Sequence, residues 1–307
     1  MQPAIPYLRT GDRVALAAPA RKVSPDEMAP AIATLEAWGL QVVVPEGLYA
    51  EEGQLAGSDS HRAALLQGLL DDPEVKAIVC CRGGYGTVRI VDRIDFSRFA
   101  EHPKWIVGFS DATVLHSHIH STLGLPTLHG TMPLSGQWSA VGGRWPEAVE
   151  SLRRVLFGQA PDYGWTSRHE GRVGEAEGVV AGGNLSILYS LCGSRSQLET
   201  RDKILLIEDL DEYLYHIDRM MQNLKRNGML DHLAGLVVGG LTDMHDNTVP
   251  FGRTAEQIVM EAVAEYDYPV VFDAPFGHLG DSNLALTLGI KMHLSASNSE
   301  KNRIFAL

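Results

Sequence analysis

Trp105-Ile106-Val107-Gly108-Phe109-Ser110-Asp111-Ala112-Thr113 is the stretch on which the reading of this chain turns. An apolar run of strand length breaks at Gly108, and residues 111–123 can continue as a helix that Gly124 stops. A serine at such a strand-to-helix turn is held clear of the backbone, beside helical N–H groups. That is the geometry of a nucleophile elbow. The pattern Gly-x-Ser-x-Gly is incomplete, because Ala112 stands where the second glycine would be. The same position equally suits a helix N-cap, the ordinary role of serine at a helix start. Both readings remain open on this stretch alone.

Upstream, strands are expected at residues 13–18, 41–44 and 77–81, and helices at 24–38, 58–70 and from Thr87 onward. Strand–helix alternation of this length predicts an α/β fold with βαβ units and a parallel sheet covered on both faces. Ligands bind beyond the carboxyl ends of such strands. Ser110 and the loop Arg82-Gly83-Gly84-Tyr85-Gly86 both fall there. Downstream, a helix is expected from Arg144 to about Phe157. Residues 158–171, rich in turn formers, read as a domain connection. The second half offers strands at 178–184, 203–207, 236–240, 269–273 and 284–288, with helices at 213–227 and 254–266. Its topology is not legible from these segments.

With 307 residues the chain can bury a large core, and 45% hydrophobic with 21% charged residues suits a soluble globular protein. The net charge is 26 − 38 = −12, and no basic stripe is present, so a nucleic-acid partner is not expected. No apolar run is long enough for a membrane span, and residues 1–9 lack the basic and apolar regions of a signal peptide. Cys80, Cys81 and Cys192 have no metal-ligand spacing and read as reduced cytoplasmic thiols.

Four places carry residues suited to chemistry. Glycines directly after a strand, at 83, 84 and 86, let backbone N–H groups approach a phosphate or an oxyanion, although the loop is neither Gly-x-Gly-x-x-Gly nor a P-loop. In Glu208-Asp209-Leu210-Asp211-Glu212 the later acids suit a helix N-terminus, whereas Glu208 follows a strand directly and can share an edge with Ser110. His278, between Gly277 and Leu279-Gly280, has the freedom to project into a cleft as a general base; a surface histidine is the plain alternative. His116 and His120 share a helical face, but no His-Glu-x-x-His or matching carboxylate accompanies them, so no metal is expected. His129-Gly130 can line the cleft without serving as the base.

Taken together, Gly11-Asp12-Arg13-Val14, Pro19-Ala20, Arg82-Gly83-Gly84-Tyr85-Gly86, Gly108-Phe109-Ser110-Asp111 and His129-Gly130 resemble the LD-carboxypeptidases of peptidase family S66. The resemblance continues through Gly182-Gly183-Asn184-Leu185-Ser186, Leu206-Ile207-Glu208-Asp209, Tyr215-His216-Ile217-Asp218-Arg219 and Gly277-His278, in order along nearly the whole chain. Phe109 stands where tyrosine is common in the family, and Ala112 and Thr131 also depart from the usual residues.

The resemblance implies a flavodoxin-like N-terminal parallel-sheet domain (1–157), a linker (158–172) and a swivelling β-rich C-terminal domain (173–307). It implies a cytoplasmic, homodimeric muramoyltetrapeptide carboxypeptidase without cofactor or metal. Such an enzyme releases terminal D-alanine by cutting an L,D bond after diaminopimelate or lysine. The implied triad is Ser110, Glu208 and His278, with the backbone N–H groups of Asp111 and Gly84 as oxyanion donors. Arg82 and Arg219 are candidates for the substrate's free carboxylate. With acid and base arriving from another domain, domain closure is expected to control activity. A related activity with the same triad is the microcin C self-immunity peptidase, which cleaves acyl-sulfamoyl adenylates; Trp138 or Trp165 would then stack on the nucleobase. From a different class, a non-catalytic module binding a phosphorylated ligand on the Arg82 loop is the remaining alternative.

Overall fold

Alternating burial along the first strands sets the architecture. On β1 (Arg13–Ala17), Val14 and Leu16 belong to one apolar cluster and Ala15 and Ala17 to another. A strand's side chains alternate between faces, so this sheet is buried on both sides. The computed structural model describes residues 5–135, 138–140 and 146–307. Around β1 follow α1 (Pro25–Ala37), β2 (Gln41–Val43), α2 (Asp59–Asp71), β3 (Val75–Cys80), α3 (Ser97–Glu101), β4 (Trp105–Gly108), α4 (Thr113–Leu123), β5 (Thr127–His129) and α5 (Glu147–Leu156).

The elements begin and end for local reasons. Ser24 and Glu27 form a capping box at the start of α1, with Pro25 in its first turn. Gly124, at φ 66°, ends α4. Strand order β2-β1-β3-β4-β5, all parallel, is the flavodoxin-like order.

The second half contains β6 (Asp162–Trp165), β7 (Gly174–Asn184), α6 (Leu185–Ser190), β8 (Lys203–Leu210), α7 (Leu214–Arg226), β9 (Gly235–Thr242), α8 (Ala255–Ala262), β10 (Val270–Val271), β11 (Leu286–Leu288), β12 (Lys291–Ala296) and β13 (Asn302–Ala306). Its sheet runs β10-β9-β8-β7-β12-β13-β6, parallel from β10 to β7 and antiparallel beyond. Leu205 and Ile207 of β8 pack on one face and Ile204 and Leu206 on the other.

Four expectations need correction. The segment after Gly86 forms two short 3-10 turns, Thr87–Arg89 and Val91–Arg93, and not an α-helix. Its β-branched Val88, Ile90 and Val91 favour helix weakly, and no side chain caps its start. The connection at 158–172 is not structureless, because β6 lies within it and pairs with β13. Tyr163 and Trp165 explain this: both rings pack against Phe276. The helix at 254–266 ends early, at Ala262. Finally, β11 does not join the second sheet. It pairs antiparallel with β5, Leu286 opposite His129, so a strand from the second half closes the first sheet. The expected helix start at Arg144 lies outside the described residues.

Candidate active site

Ser110 sits at the end of β4 in the left-handed region, at φ 59°. The other non-glycine residues described with positive φ are Asp202, Asp211, Asp243, Asp273 and His232, types that tolerate it. For serine the conformation costs roughly 1–2 kcal/mol and must be held by its surroundings. Ser110 does not cap the helix: the cap residue of α4 is Ala112, with no side-chain bond. His116 holds the turn from below, its Nε2 2.9 Å from the Gly108 carbonyl oxygen. Burial keeps that imidazole neutral, its pKa lowered to about 4. His129 is also buried and held well below the ordinary range, by desolvation first and then by His116 and His278.

The glycine loop lies directly against the Ser110 turn. A Cβ at Gly83 would stand 2.8 Å from both Cβ and Oγ of Ser110, and 3.4 Å from the Asp111 nitrogen. The buried Asp111 carboxylate accepts the Thr87 N–H at 2.9 Å and so ties the loop to the elbow. Burial raises its pKa, against the hydrogen bonds from Thr87 and Gly86. Beneath the loop, fully buried Arg62 donates to the carbonyls of Pro19 and Gly86 and pairs with Asp59 at 2.5 Å.

Glu208, near the end of β8, is completely buried. Its Oε2 accepts from His278 Nδ1 at 2.6 Å and from the His278 backbone N–H at 3.2 Å. Gly277 makes this possible: it has φ 93°, and a Cβ there would lie 2.6 Å from the Glu208 Cβ and overlap its carboxylate. Desolvation works against a charged His278, but the hydrogen bond and charge of Glu208, with Asp209 adding, outweigh it and raise the pKa. With Nδ1 donating, Nε2 is the ring's remaining lone pair. Phe109 packs on this imidazole, ring centroids 4.7 Å apart.

Ser110, Gly84, Asp111 and His278 line one cleft of roughly 400 Å³, with Asp209, Asp211 and Glu212 on its walls. Asp209 lies in β8, where it accepts from Asn184 Nδ2 at 3.0 Å and the Ser186 N–H at 2.8 Å. Burial, with Glu208 adding, pushes it up to about 7. Asp211 pairs with His245 at 2.5 Å and Glu212 with His216 at 2.6 Å. The two halves meet where Thr113 Oγ1 accepts the Asn184 N–H at 3.1 Å.

Arg82 and Arg219 are not among the lining residues. Arg82 donates to the Lys22 carbonyl at 3.3 Å, and Arg219 lies 5.1 Å over the Tyr215 ring, in a separate cavity. Arg21, which no motif marked, does line the cleft. Trp138 and Trp165 are buried in the cores, their indole N–H groups donating to Met132 and Phe272 carbonyls. Among the described residues no cluster of three or more histidine, cysteine or acidic side chains is arranged for a metal, and no helix is long and apolar enough to cross a membrane.

Residues 14–130 match the LD-carboxypeptidase N-terminal domain and residues 177–294 the LD-carboxypeptidase C-terminal domain of family S66. The chain belongs to peptidase family S66. Among its relatives is the "Probable murein peptide carboxypeptidase" of Bacillus subtilis, 37% identical over 94% of this chain and 91% of that protein. Another is the "Murein tetrapeptide carboxypeptidase" of Pseudomonas aeruginosa, 30% identical over 90% and 91%. The crystal structure of muramoyltetrapeptide carboxypeptidase from Oxalobacter formigenes superposes with a TM-score of 0.86 at 25% identity, covering 96% of this chain and 98% of that one. Microcin C7 self immunity protein MccF shares the fold, with a TM-score of 0.81 at 21% identity over 98% of each chain.

Proposed function

We propose that this chain is a serine carboxypeptidase that releases terminal D-alanine from murein tetrapeptides, acting as a cytoplasmic homodimer in cell-wall recycling. The observation that carries the reading is the 2.6 Å Glu208–His278 bond in the cleft that Ser110 also lines. Ser110 Oγ attacks the carbonyl carbon of the scissile L,D amide as His278 Nε2 takes its proton. The C–N bond breaks as His278 returns that proton to the departing amine of D-alanine. Water then enters by the reverse sequence and hydrolyses the acyl-serine. Glu208 keeps the imidazole in the tautomer this requires and balances its charge when protonated. The backbone N–H groups of Asp111 and Gly84 serve as oxyanion donors, and losing one such donor costs about 3–4 kcal/mol of transition-state stabilisation.

The relatives named as murein peptide and murein tetrapeptide carboxypeptidases support this substrate class. The acyl-sulfamoyl adenylate reading loses its stacking platform, since Trp138 and Trp165 are core residues. The test is D-alanine release from a murein tetrapeptide, with an aminoacyl-sulfamoyl adenylate run in parallel. The tetrapeptide is expected to have the higher kcat/KM, and Ser110→Ala to abolish release with little change in Tm. Full activity in Ser110→Ala, or preference for the adenylate, refutes the proposal.

A further inference from the structure

Arg21 is the arginine among the residues that line the cleft, and no acid among the described residues pairs with it. Its Nε is buried without a hydrogen-bond partner among the described residues. The acids on the same walls are already engaged: Asp209 by Asn184 and the Ser186 N–H, Asp211 by His245, and Glu212 by His216. None turns to Arg21, although an unpaired, partly desolvated guanidinium attracts any anion within reach.

The arm is also pre-positioned. Its backbone bridges to Leu55, and the neighbouring Lys22 N–H donates to the Gln54 carbonyl at 3.0 Å. Its stem lies where a side chain at position 84 would be: a Cβ on Gly84 would stand 2.5 Å from Arg21 Cδ and 2.6 Å from Nε. Gly84 therefore gives up a side chain, at φ 102°, to the arginine that crosses it. The two Nη groups of a guanidinium form a fork that can grip a carboxylate in two parallel bonds. Nε is buried against the Gly84 backbone, so the Nη groups of this half-buried arginine are the part of the fork left to the cleft that Ser110 lines.

We infer that Arg21 is the specificity residue that binds the free α-carboxylate of the substrate's C-terminal amino acid, and so makes the enzyme an exopeptidase. This rests on the peptidase reading above and places the terminal carboxylate between Arg21 and the Gly84 segment. It assigns the task to neither Arg82 nor Arg219, whose guanidinium groups lie outside the cleft lining.

The experiment measures kcat and KM for the tetrapeptide and for its C-terminal carboxamide, with wild type, Arg21→Met and Arg21→Lys. Met keeps the stem over Gly84 and loses the fork; Lys keeps the charge without the bidentate geometry. Wild type should prefer the acid by about 100-fold in kcat/KM, the scale of a charged pair losing one partner. Arg21→Met should lose about that factor on the acid, chiefly through KM, and leave the carboxamide within about threefold. Arg21→Lys should fall between, which separates recognition from misfolding. Turnover by wild type with an unchanged acid-to-amide ratio in both variants overturns the role of Arg21 alone. No D-alanine release by wild type overturns the peptidase reading and this inference with it.

Discussion

Replacing Glu208 by glutamine tests the acid–base pair without touching the cleft wall. Glu208 is fully buried, so substrate does not meet it and KM should stay near its wild-type value. The carboxylate accepts from Nδ1 at 2.6 Å and so leaves the Nε2 lone pair free, as the proposed transfer from Ser110 requires. A glutamine can turn its NH2 toward Nδ1, which moves the imidazole proton to Nε2 and blocks that transfer. Loss of tautomer control and of the buried negative charge together cost about four orders of magnitude in kcat in triads of this kind. That is about 5.4 kcal/mol of barrier.

Stability should change far less. The amide keeps one hydrogen bond but leaves its other polar atom unpartnered, where Glu208 Oε1 already has no partner. Steady-state D-alanine release across pH provides a second readout. His278 must be neutral to act as base, and Glu208 raises its pKa. The acid limb of the residual kcat should therefore move to lower pH in Glu208→Gln. A kcat within tenfold of wild type, or a limb displaced upward, refutes the assignment of Glu208 and His278 as an acting pair.

Gly277→Ala should lower stability by about 3 kcal/mol and depress kcat, because the new Cβ is strained at φ 93° and drives into the Glu208 carboxylate; thermal melts and turnover check both. Arg62→Met should cost about 2–3 kcal/mol, since it strands the buried carbonyls of Pro19 and Gly86, while Asp59 keeps Arg89 as a partner. A chemical denaturation curve showing under 1 kcal/mol would refute that account of the loop. Stability should also fall as pH drops from 6.5 toward about 4, because the unfolded chain takes up a proton that folded His116 refuses until the lower value. His116→Gln should flatten this dependence in urea titrations, and an unchanged slope would show that other groups carry it.

The parallel half was legible because each strand and helix carries its own boundary: Ser24 with Glu27, Ser58, and the glycines at 39 and 124. Ser110 could not be resolved locally, since cap and nucleophile call for the same residue at the same turn. Its φ and the absence of a capping bond argue against the cap, and neither can be read from the sequence. Arg21, Thr113 and Asn184 were illegible because their roles rest on contacts between distant segments, as in the Thr113–Asn184 bond across the halves. β6 and β11 were misplaced for a related reason. A strand of three or four residues shows its face but not its partner, and pairing of this kind is decided by tertiary packing.

The pairing of β11 with β5 has a bearing on how this polypeptide could be divided. A cut anywhere in 158–172 would leave the N-terminal fragment with the Thr127–His129 edge bare, a row of unpaired backbone N–H and C=O groups prone to self-association. The complementary fragment would carry Leu286–Leu288 as a loose end only a short run beyond His278, with its native template gone. Neither piece is therefore expected to stand as a module on its own. A split version of this enzyme would have to exchange at that seam, with a synthetic strand spanning Leu286–Leu288 supplied as the donor. The loop that carries His278 is fastened to the second sheet as well, through the Gly240 N–H to the Phe276 carbonyl and Thr242 Oγ1 to the His278 carbonyl, so rotation of that sheet would carry Glu208 and His278 together relative to Ser110 and load the Leu286–Leu288 seam.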